Sequence, residues 1–200
     1  MKCSIGRVIL YPGFVVLLSA SAYFGSLQLL AALLIAAAAH ELGHIVAVWC
    51  SGRKLDRLTL TALGAELTLK GESVSATFLQ DLALSLSGPA ANLMLALILT
   101  VIGGFPLLLG ANLLLGCFNL LPVLPLDGGC ALFALLCWLT NLEWADRLTE
   151  LISKGFSLAV ILCGTVFLFQ PGGKPWLLLM GLWLASASFH LGEHESAALV

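Results

Sequence analysis

Residues 27–50 read LQLLAALLIAAAAHELGHIVAVWC, and His40, Glu41 and His44 stand inside this largely apolar run. A helix needs about 20 mostly apolar residues to cross the hydrocarbon core of a bilayer. The run therefore predicts a transmembrane helix. Ionisable side chains are costly at that depth and usually mark a functional site, so these three residues are the first candidates for chemistry.

The remainder of the chain is apolar in the same way. Of its 200 residues, 60% are hydrophobic and only 10% are charged, against roughly 25% charged residues in an average soluble domain. Long uncharged stretches predict an all-α polytopic membrane protein with about six transmembrane helices. The predicted crossings cover about 8–24, 27–50, 78–102, 106–140, 152–169 and 175–191.

The fourth predicted crossing is too long for one straight helix. Pro122 and Pro125, followed by Gly128 and Gly129, predict a break in it, because proline removes a backbone donor and clashes with the preceding turn. Inside a membrane, such a break is tolerated only where protein or a water-filled cavity surrounds it. The broken fourth helix is therefore a second pointer to a functional site.

The basic residues predict the orientation of these crossings. With the N-terminus in the cytoplasm, only Lys174 of the nine lysines and arginines falls outside, which agrees with the positive-inside rule. We therefore expect a multi-pass protein with both termini cytoplasmic. The eight residues on the cytoplasmic side would be Lys2, Arg7, Arg53, Lys54, Arg57, Lys70, Arg147 and Lys154.

The segment 55–69 between the second and third crossings has a different pattern. Apolar and polar residues alternate on both sides of Gly64, and a period of two is typical of strands. We expect a small β-hairpin at the cytoplasmic membrane surface. The alternative is a plain amphipathic loop.

The pentapeptide His40-Glu41-Leu42-Gly43-His44 has H-E-x-x-H spacing. Residues four apart share a helix face, so the two imidazoles can bind one metal ion while Glu41 accepts a proton from the attacking water. This is the zinc metalloprotease arrangement. Zinc needs a third protein ligand, and Asp127 at the predicted break is the candidate. A simple Asp-Gly turn is the alternative for Asp127.

A third element is Ser87-Gly88-Pro89-Ala90-Ala91-Asn92 in the third crossing. Gly88 and Ala90 could serve close helix packing. The amide of Asn92 needs partners in a low-dielectric setting. It could bind a substrate backbone or the developing oxyanion, which would make it catalytic, or it could be structural.

The three motifs together resemble the site-2 protease family of intramembrane zinc metalloproteases. H-E-L-G-H, S-G-P-A-A-N and the segment 119–129, N-L-L-P-V-L-P-L-D-G-G, match its signatures in order. The six-helix layout is similar to the branch of the stage IV sporulation factor B protease, which processes a membrane-associated pro-sigma factor. We expect one transmembrane protease domain over 1–200, with its catalytic core at about 27–140 and with neither an inserted PDZ domain nor a C-terminal CBS domain.

The resemblance implies Zn²⁺ held by His40, His44 and Asp127, with Glu41 as base. It also implies the cytoplasmic membrane of a bacterium, a membrane protein as substrate and a membrane protein as regulator. No basic patch with interleaved aromatics indicates nucleic acid, and the oligomeric state stays open. The alternative functions are a transmembrane metal-ion transporter and a catalytically inactive scaffold. A transporter needs a second ligand set on a facing helix, which the sequence does not offer.

Overall fold

The computed structural model describes residues 3–5, 8–10, 27–52, 55–61, 64–69, 78–170, 175 and 177–187. Helices dominate this part of the chain. The helices are α1 (Leu27–Cys50), α2 (Phe78–Ile102), α3 (Pro106–Asn119), α4 (Asp127–Leu139), α5 (Leu142–Leu168) and α6 (Leu177–Ala187). The strands are β1 (Cys3–Ile5), β2 (Val8–Leu10), β3 (Leu55–Thr61) and β4 (Gly64–Leu69).

The chain divides into two compact units. The first unit comprises Met1–Ala76 and Ser87–Phe118, and the second comprises Thr77–Leu86 and Asn119–Val200. Helix α2 contributes its beginning to the second unit and the rest of its length to the first. The two histidines thus belong to the first unit, while Asp127 belongs to the second.

Helix α1 buries one narrow face inside the first unit. Its buried positions recur every four residues, which is the spacing of one helix face. They are Ala32, Ala36, His40, His44 and Val48. Ala32 and Ala36 pack against Ala111 of α3, since small side chains allow helices to approach closely where no hydrophobic effect drives them together.

Helices α1 and α2 approach most closely at Gly43. A Cβ atom at this position would overlap the Ser87 carbonyl oxygen and come within 2.8 Å of Ala91 Cβ. Helix α2 ends at Ile102, where Gly103 takes a left-handed φ of 78°, a common helix terminator. The absence of a side chain at Gly43 therefore sets the distance between the two helices that carry most of the candidate residues.

The four strands form one sheet in the order β1-β2-β3-β4. Strands β3 and β4, in the segment where the sequence predicts a hairpin, pair antiparallel with Thr61 opposite Gly64. Strand β2 pairs parallel to β3, with Val8 opposite Leu58, and antiparallel to β1. The predicted crossing at 8–24 is therefore wrong at its start, because residues 8–10 form a strand. Residues 11–24 lie outside the described part.

The second unit is built on helices α4, α5 and α6. Helices α4 and α5 pack against each other, and α6 approaches α5 at two glycines. A Cβ atom at Gly164 would come within 2.6 Å of Leu178 Cα, and one at Gly181 within 2.8 Å of Ile161 N. The predicted break is present, since α3 ends at Asn119 and α4 begins at Asp127.

Three of the described helices, α1, α2 and α5, are long and apolar enough to cross a membrane. Their outward faces carry large exposed apolar side chains, including Trp49, Val101 and Val166, as expected where lipid rather than water is the solvent. Helix α5 begins ten residues before the predicted start at 152. Helices α3, α4 and α6 are shorter apolar helices.

Candidate metal and catalytic site

The two histidines of α1 converge on one point. His40 and His44 are both buried, with 7% and 8% of their surface exposed. Their Nε2 atoms lie 3.2 Å apart, and the rings meet edge to face with centroids 4.9 Å apart. The i, i+4 spacing on a continuous helix brings the two nitrogens together, as the sequence predicts.

This nitrogen pair fits a zinc ion. Two imidazole nitrogens at about 2.0–2.1 Å from a tetrahedral zinc lie roughly 3.3 Å apart, close to the observed 3.2 Å. The space beside them is open because position 88 is glycine. A Cβ atom at Gly88 would overlap His44 Nε2 and come within 2.7 Å of His40 Nε2. The donor atoms and the space beside them therefore suit a metal ion.

Asn92 of α2 fixes the tautomer of His40. Asn92 Nδ2 lies 2.8 Å from the Ala36 carbonyl oxygen, which can only accept a hydrogen bond, so this end of the amide carries the hydrogens. Oδ1 therefore faces His40 Nδ1 at 2.7 Å and accepts a hydrogen bond from its N–H group. The Nε2 atom of a neutral His40 is then left with the lone pair that a metal ion requires.

The second hydrogen of the Asn92 amide goes to Asn112 of α3. Asn92 Nδ2 donates to Asn112 Oδ1 at 3.0 Å, and Asn112 Nδ2 donates to the Leu108 carbonyl oxygen at 2.8 Å. Both asparagines are fully buried. Both N–H groups of the Asn92 amide, which could have served a substrate or an oxyanion, are thus donated within the protein.

Ser87 holds the second histidine. Its Oγ lies 3.1 Å from His44 Nδ1. A hydroxyl group can donate or accept, so Ser87 Oγ can accept a hydrogen bond from the His44 Nδ1–H group, which leaves the Nε2 lone pair of His44 for a metal ion. Each ring thus has one nitrogen held by a side chain of α2 and the other directed at the space beside Gly88.

Glu41 follows His40 on α1 and is half-buried. One residue along a helix rotates by about 100°, so its carboxylate lies beside the histidine face rather than on it. This is the position that the H-E-x-x-H pattern assigns to a base.

Asp127 is the first residue of α4 in the second unit and is half-buried. The segment before it is a chain of tight turns, in which Leu126 N donates to the Val123 carbonyl oxygen at 2.8 Å. Leu124 N donates to Ser153 Oγ of α5 at 3.1 Å. A carboxylate in the first turn of a helix is also favoured by the helix dipole.

Two glycines let the turn segment lie against the start of α4. A Cβ atom at Gly128 would overlap the Leu120 carbonyl, and one at Gly129 would come within 2.5 Å of Leu124 N. The structure thus accounts for the Asp-Gly-Gly sequence through close backbone packing immediately after Asp127.

Two polar residues of these networks were missed in the sequence analysis. Asn112 is an amide within an otherwise apolar stretch of α3, and the cost argument made for Asn92 applies to it equally. Nothing in the sequence marked Ser153 as a functional residue. A serine four residues after Thr149 on a helix is a common pattern.

Parts of this chain are similar to known proteins. Residues 28–108 match the model of peptidase family M50. A candidate zinc metalloprotease of Synechocystis is 36% identical over 174 residues, covering 79% of this chain and 45% of that protein. A zinc metalloprotease of Methanocaldococcus jannaschii is 28% identical over 141 residues, covering 62% of this chain and 39% of that protein. The chain thus spans less than half the length of these relatives.

Among solved structures, the site-2 protease from Methanocaldococcus jannaschii has a similar fold. The TM-score is 0.67 at 23% identity, covering 95% of this chain and 94% of that one. At this identity the likeness shows the fold alone, while the family match covers residues 28–108 and ends before Asp127. The segment that carries His40, His44 and Asn92 therefore matches peptidase family M50, and the chain is similar in sequence to zinc metalloproteases and in fold to a site-2 protease.

Proposed function

We propose that this chain is a zinc-dependent intramembrane endopeptidase that hydrolyses a peptide bond of a membrane protein. The observation that carries the proposal is the pair of buried imidazole nitrogens, 3.2 Å apart, on a helix long and apolar enough to cross a bilayer. A buried, oriented pair of this kind has an obvious use in holding a metal ion. It has little value for stability in an apolar setting.

The proposed metal ligands are His40, His44 and Asp127. His40 and His44 lie together on α1, and the resemblance of the motifs to the family's signatures supports Asp127 as the third ligand. Two histidines and a carboxylate are a donor set that zinc accepts, with a further position open for water. When bound, zinc supplies a Lewis acid that polarises the scissile carbonyl and acidifies the attacking water.

Glu41 is the proposed general base. Its carboxylate accepts a proton from the attacking water and returns that proton to the nitrogen of the leaving amine. Ser87 and Asn92 keep the two imidazoles in the tautomer that can bind a metal. Asn92 therefore serves by orienting His40, because its own N–H groups are already donated to Ala36 and Asn112.

The proposed substrate is a transmembrane or membrane-associated protein. A helical substrate hides its carbonyl groups in backbone hydrogen bonds, so it must be extended locally before attack. In the order β1-β2-β3-β4, strand β4 has one edge without a neighbour among the described strands, and an extended peptide can add to such an edge. A pro-sigma or anti-sigma factor, cleaved under the control of a membrane regulator, is the substrate class we propose.

The proposed topology has six crossings, both termini in the cytoplasm and the β3–β4 hairpin at the cytoplasmic surface of a bacterial membrane. The support is the distribution of basic residues, which places only Lys174 outside. Cleavage near the cytoplasmic face follows from this arrangement.

The experiment is cleavage of a membrane-tethered pro-sigma or anti-sigma reporter by wild-type protein and three variants in a heterologous membrane. Glu41→Gln removes the base and is expected to lower the rate at least about a hundredfold. Asp127→Ala removes a metal ligand and is expected to abolish cleavage. Glu143→Gln neutralises an exposed carboxylate in the first turn of α5 and should leave cleavage unchanged.

The outcome that contradicts the proposal is zinc flux that depends on His40 and Asp127 while every reporter stays intact. That result would indicate a transporter. Cleavage that survives Glu41→Gln would also contradict the assigned role of the base.

A further inference from the structure

We infer that Asn112 is a positioning residue of the metal site, acting on His40 through Asn92. The inference rests on the proposed function and adds a residue that no sequence motif marks. Asn112 lies on α3, is joined to the histidines through Asn92 and is fully buried. Its contacts, rather than its distance from the ligands, define the role.

The amide of Asn112 can face Asn92 in only one way. Asn112 Nδ2 donates to the Leu108 carbonyl oxygen at 2.8 Å, and a carbonyl oxygen accepts only. The Oδ1 atom of Asn112 is therefore the end that faces Asn92. It accepts from Asn92 Nδ2 at 3.0 Å.

Asn92 is held at both hydrogens of its Nδ2 group. One is donated to the Ala36 carbonyl oxygen and the other to Asn112. Two acceptors in different helices fix the plane of the Asn92 amide. A single acceptor would leave the amide able to rotate. The fixed plane directs Asn92 Oδ1 at His40 Nδ1, 2.7 Å away.

This orientation has a consequence for the metal. If Asn92 flips or rotates, an N–H group faces His40 Nδ1, and the neutral ring then favours a proton on Nε2, which blocks metal binding. Groups that orient a metal-binding histidine typically contribute about 10–100-fold to metal affinity. Asn112 contributes by making the unproductive orientation of Asn92 unfavourable, since a buried acceptor would lose its hydrogen bond.

The test is Co²⁺ binding by the full chain in detergent, with Glu41→Gln present throughout so that no proteolysis occurs. Affinity is measured by competition with a chelator, and the site is identified from the visible d–d absorption of tetrahedral Co²⁺. Asn112→Leu keeps much of the volume and removes the acceptor oxygen. Asn112→Asp keeps the acceptor oxygen and is the rescue variant.

The matched control is Leu108→Ala. Its side chain packs against the alanine core of α1 and α3, while its carbonyl, which accepts from Asn112, remains. This variant should unfold at a lower temperature and bind Co²⁺ as the parent does. It separates a loss of packing from a loss of orientation.

We expect Asn112→Leu to lower Co²⁺ affinity about tenfold or more and Asn112→Asp to stay within about threefold of the parent. Equal affinity in the parent and in folded Asn112→Leu would overturn the inference alone. So would an equal loss in the Leu and Asp variants. A parent chain that binds no Co²⁺ would overturn the proposed function together with this inference. If Asn112→Leu does not fold, Asn112→Ala provides the same comparison.

Discussion

Two interactions at different distances along the chain orient His40. Its pairing with His44 follows from local helix geometry, because four residues make about one turn. Its bond to Asn92 joins residues 52 positions apart, and that contact depends on how α1 and α2 pack. The candidate ligand was therefore predictable, whereas the direction of its proton was not.

Gly88 leads to a prediction at the same scale. A Cβ atom there would meet the Nε2 atoms of both candidate ligands, His40 and His44, so Gly88→Ala is expected to lower zinc affinity and reporter cleavage at least about tenfold by displacing the imidazoles. The measurements are zinc competition with a chelator and the cleavage rate. Gly110→Ala on α3 is the control, because its Cβ would have no atom within 4 Å.

Gly110→Ala is expected to leave both quantities unchanged and to raise helix stability slightly, by about 0.5–1 kcal/mol. Zinc affinity that is the same in both variants would show that the space beside the histidines is not used for a metal.

At the scale of elements, the helix break and the sheet differ in how far they could be predicted. The break between α3 and α4 follows from Pro122 and Pro125, whose effect on a helix is local. The parallel pairing of β2 with β3, which sets Val8 opposite Leu58, joins segments on either side of α1. Three-residue strands have too little pattern to predict such a pairing. The apolar residues 8–10 were therefore predicted to begin a transmembrane helix.

The segment of the break also depends on helix α5, and this contact can be tested. Ser153→Ala removes the hydroxyl that accepts from Leu124 N, and we expect a loss of about 1 kcal/mol in unfolding free energy. Because the same segment leads into Asp127, zinc affinity should fall as well. Thermal unfolding in detergent and chelator competition measure the two effects.

Ser157→Ala is the control for this change. Ser157 lies one turn further along α5 and is 1% exposed, and its Oγ has no hydrogen-bond partner among the described residues. Its removal should leave stability equal or higher, since a buried hydroxyl without a partner is costly. If the two variants lose stability equally, the Leu124 contact has no special importance.

At the scale of the whole molecule, composition alone indicates that lipid rather than water surrounds the helices. With 10% charged residues and apolar side chains exposed along α1, α2 and α5, the chain is suited to lipid. Its division into two compact units was not predictable, because no polar linker separates them and α2 contributes to both.

The proposed orientation gives a prediction for the molecule as a whole. Alkaline phosphatase fused after Lys174 should be active, because that loop is expected outside. Green fluorescent protein fused after Val200 should fluoresce, because the C-terminus is expected in the cytoplasm. The opposite pattern at both positions would invert the proposed topology and move the cleavage site to the other face.

The glycines at 43 and 88 have a consequence for how such chains can diverge. Each occupies a place where a single methyl group would collide with backbone or with a ligand nitrogen, so neither can be replaced gradually by larger residues. Lipid-facing positions, by contrast, can exchange one apolar residue for another at little cost. Over evolutionary time, these two glycines should persist in active relatives while the surrounding leucines and valines drift.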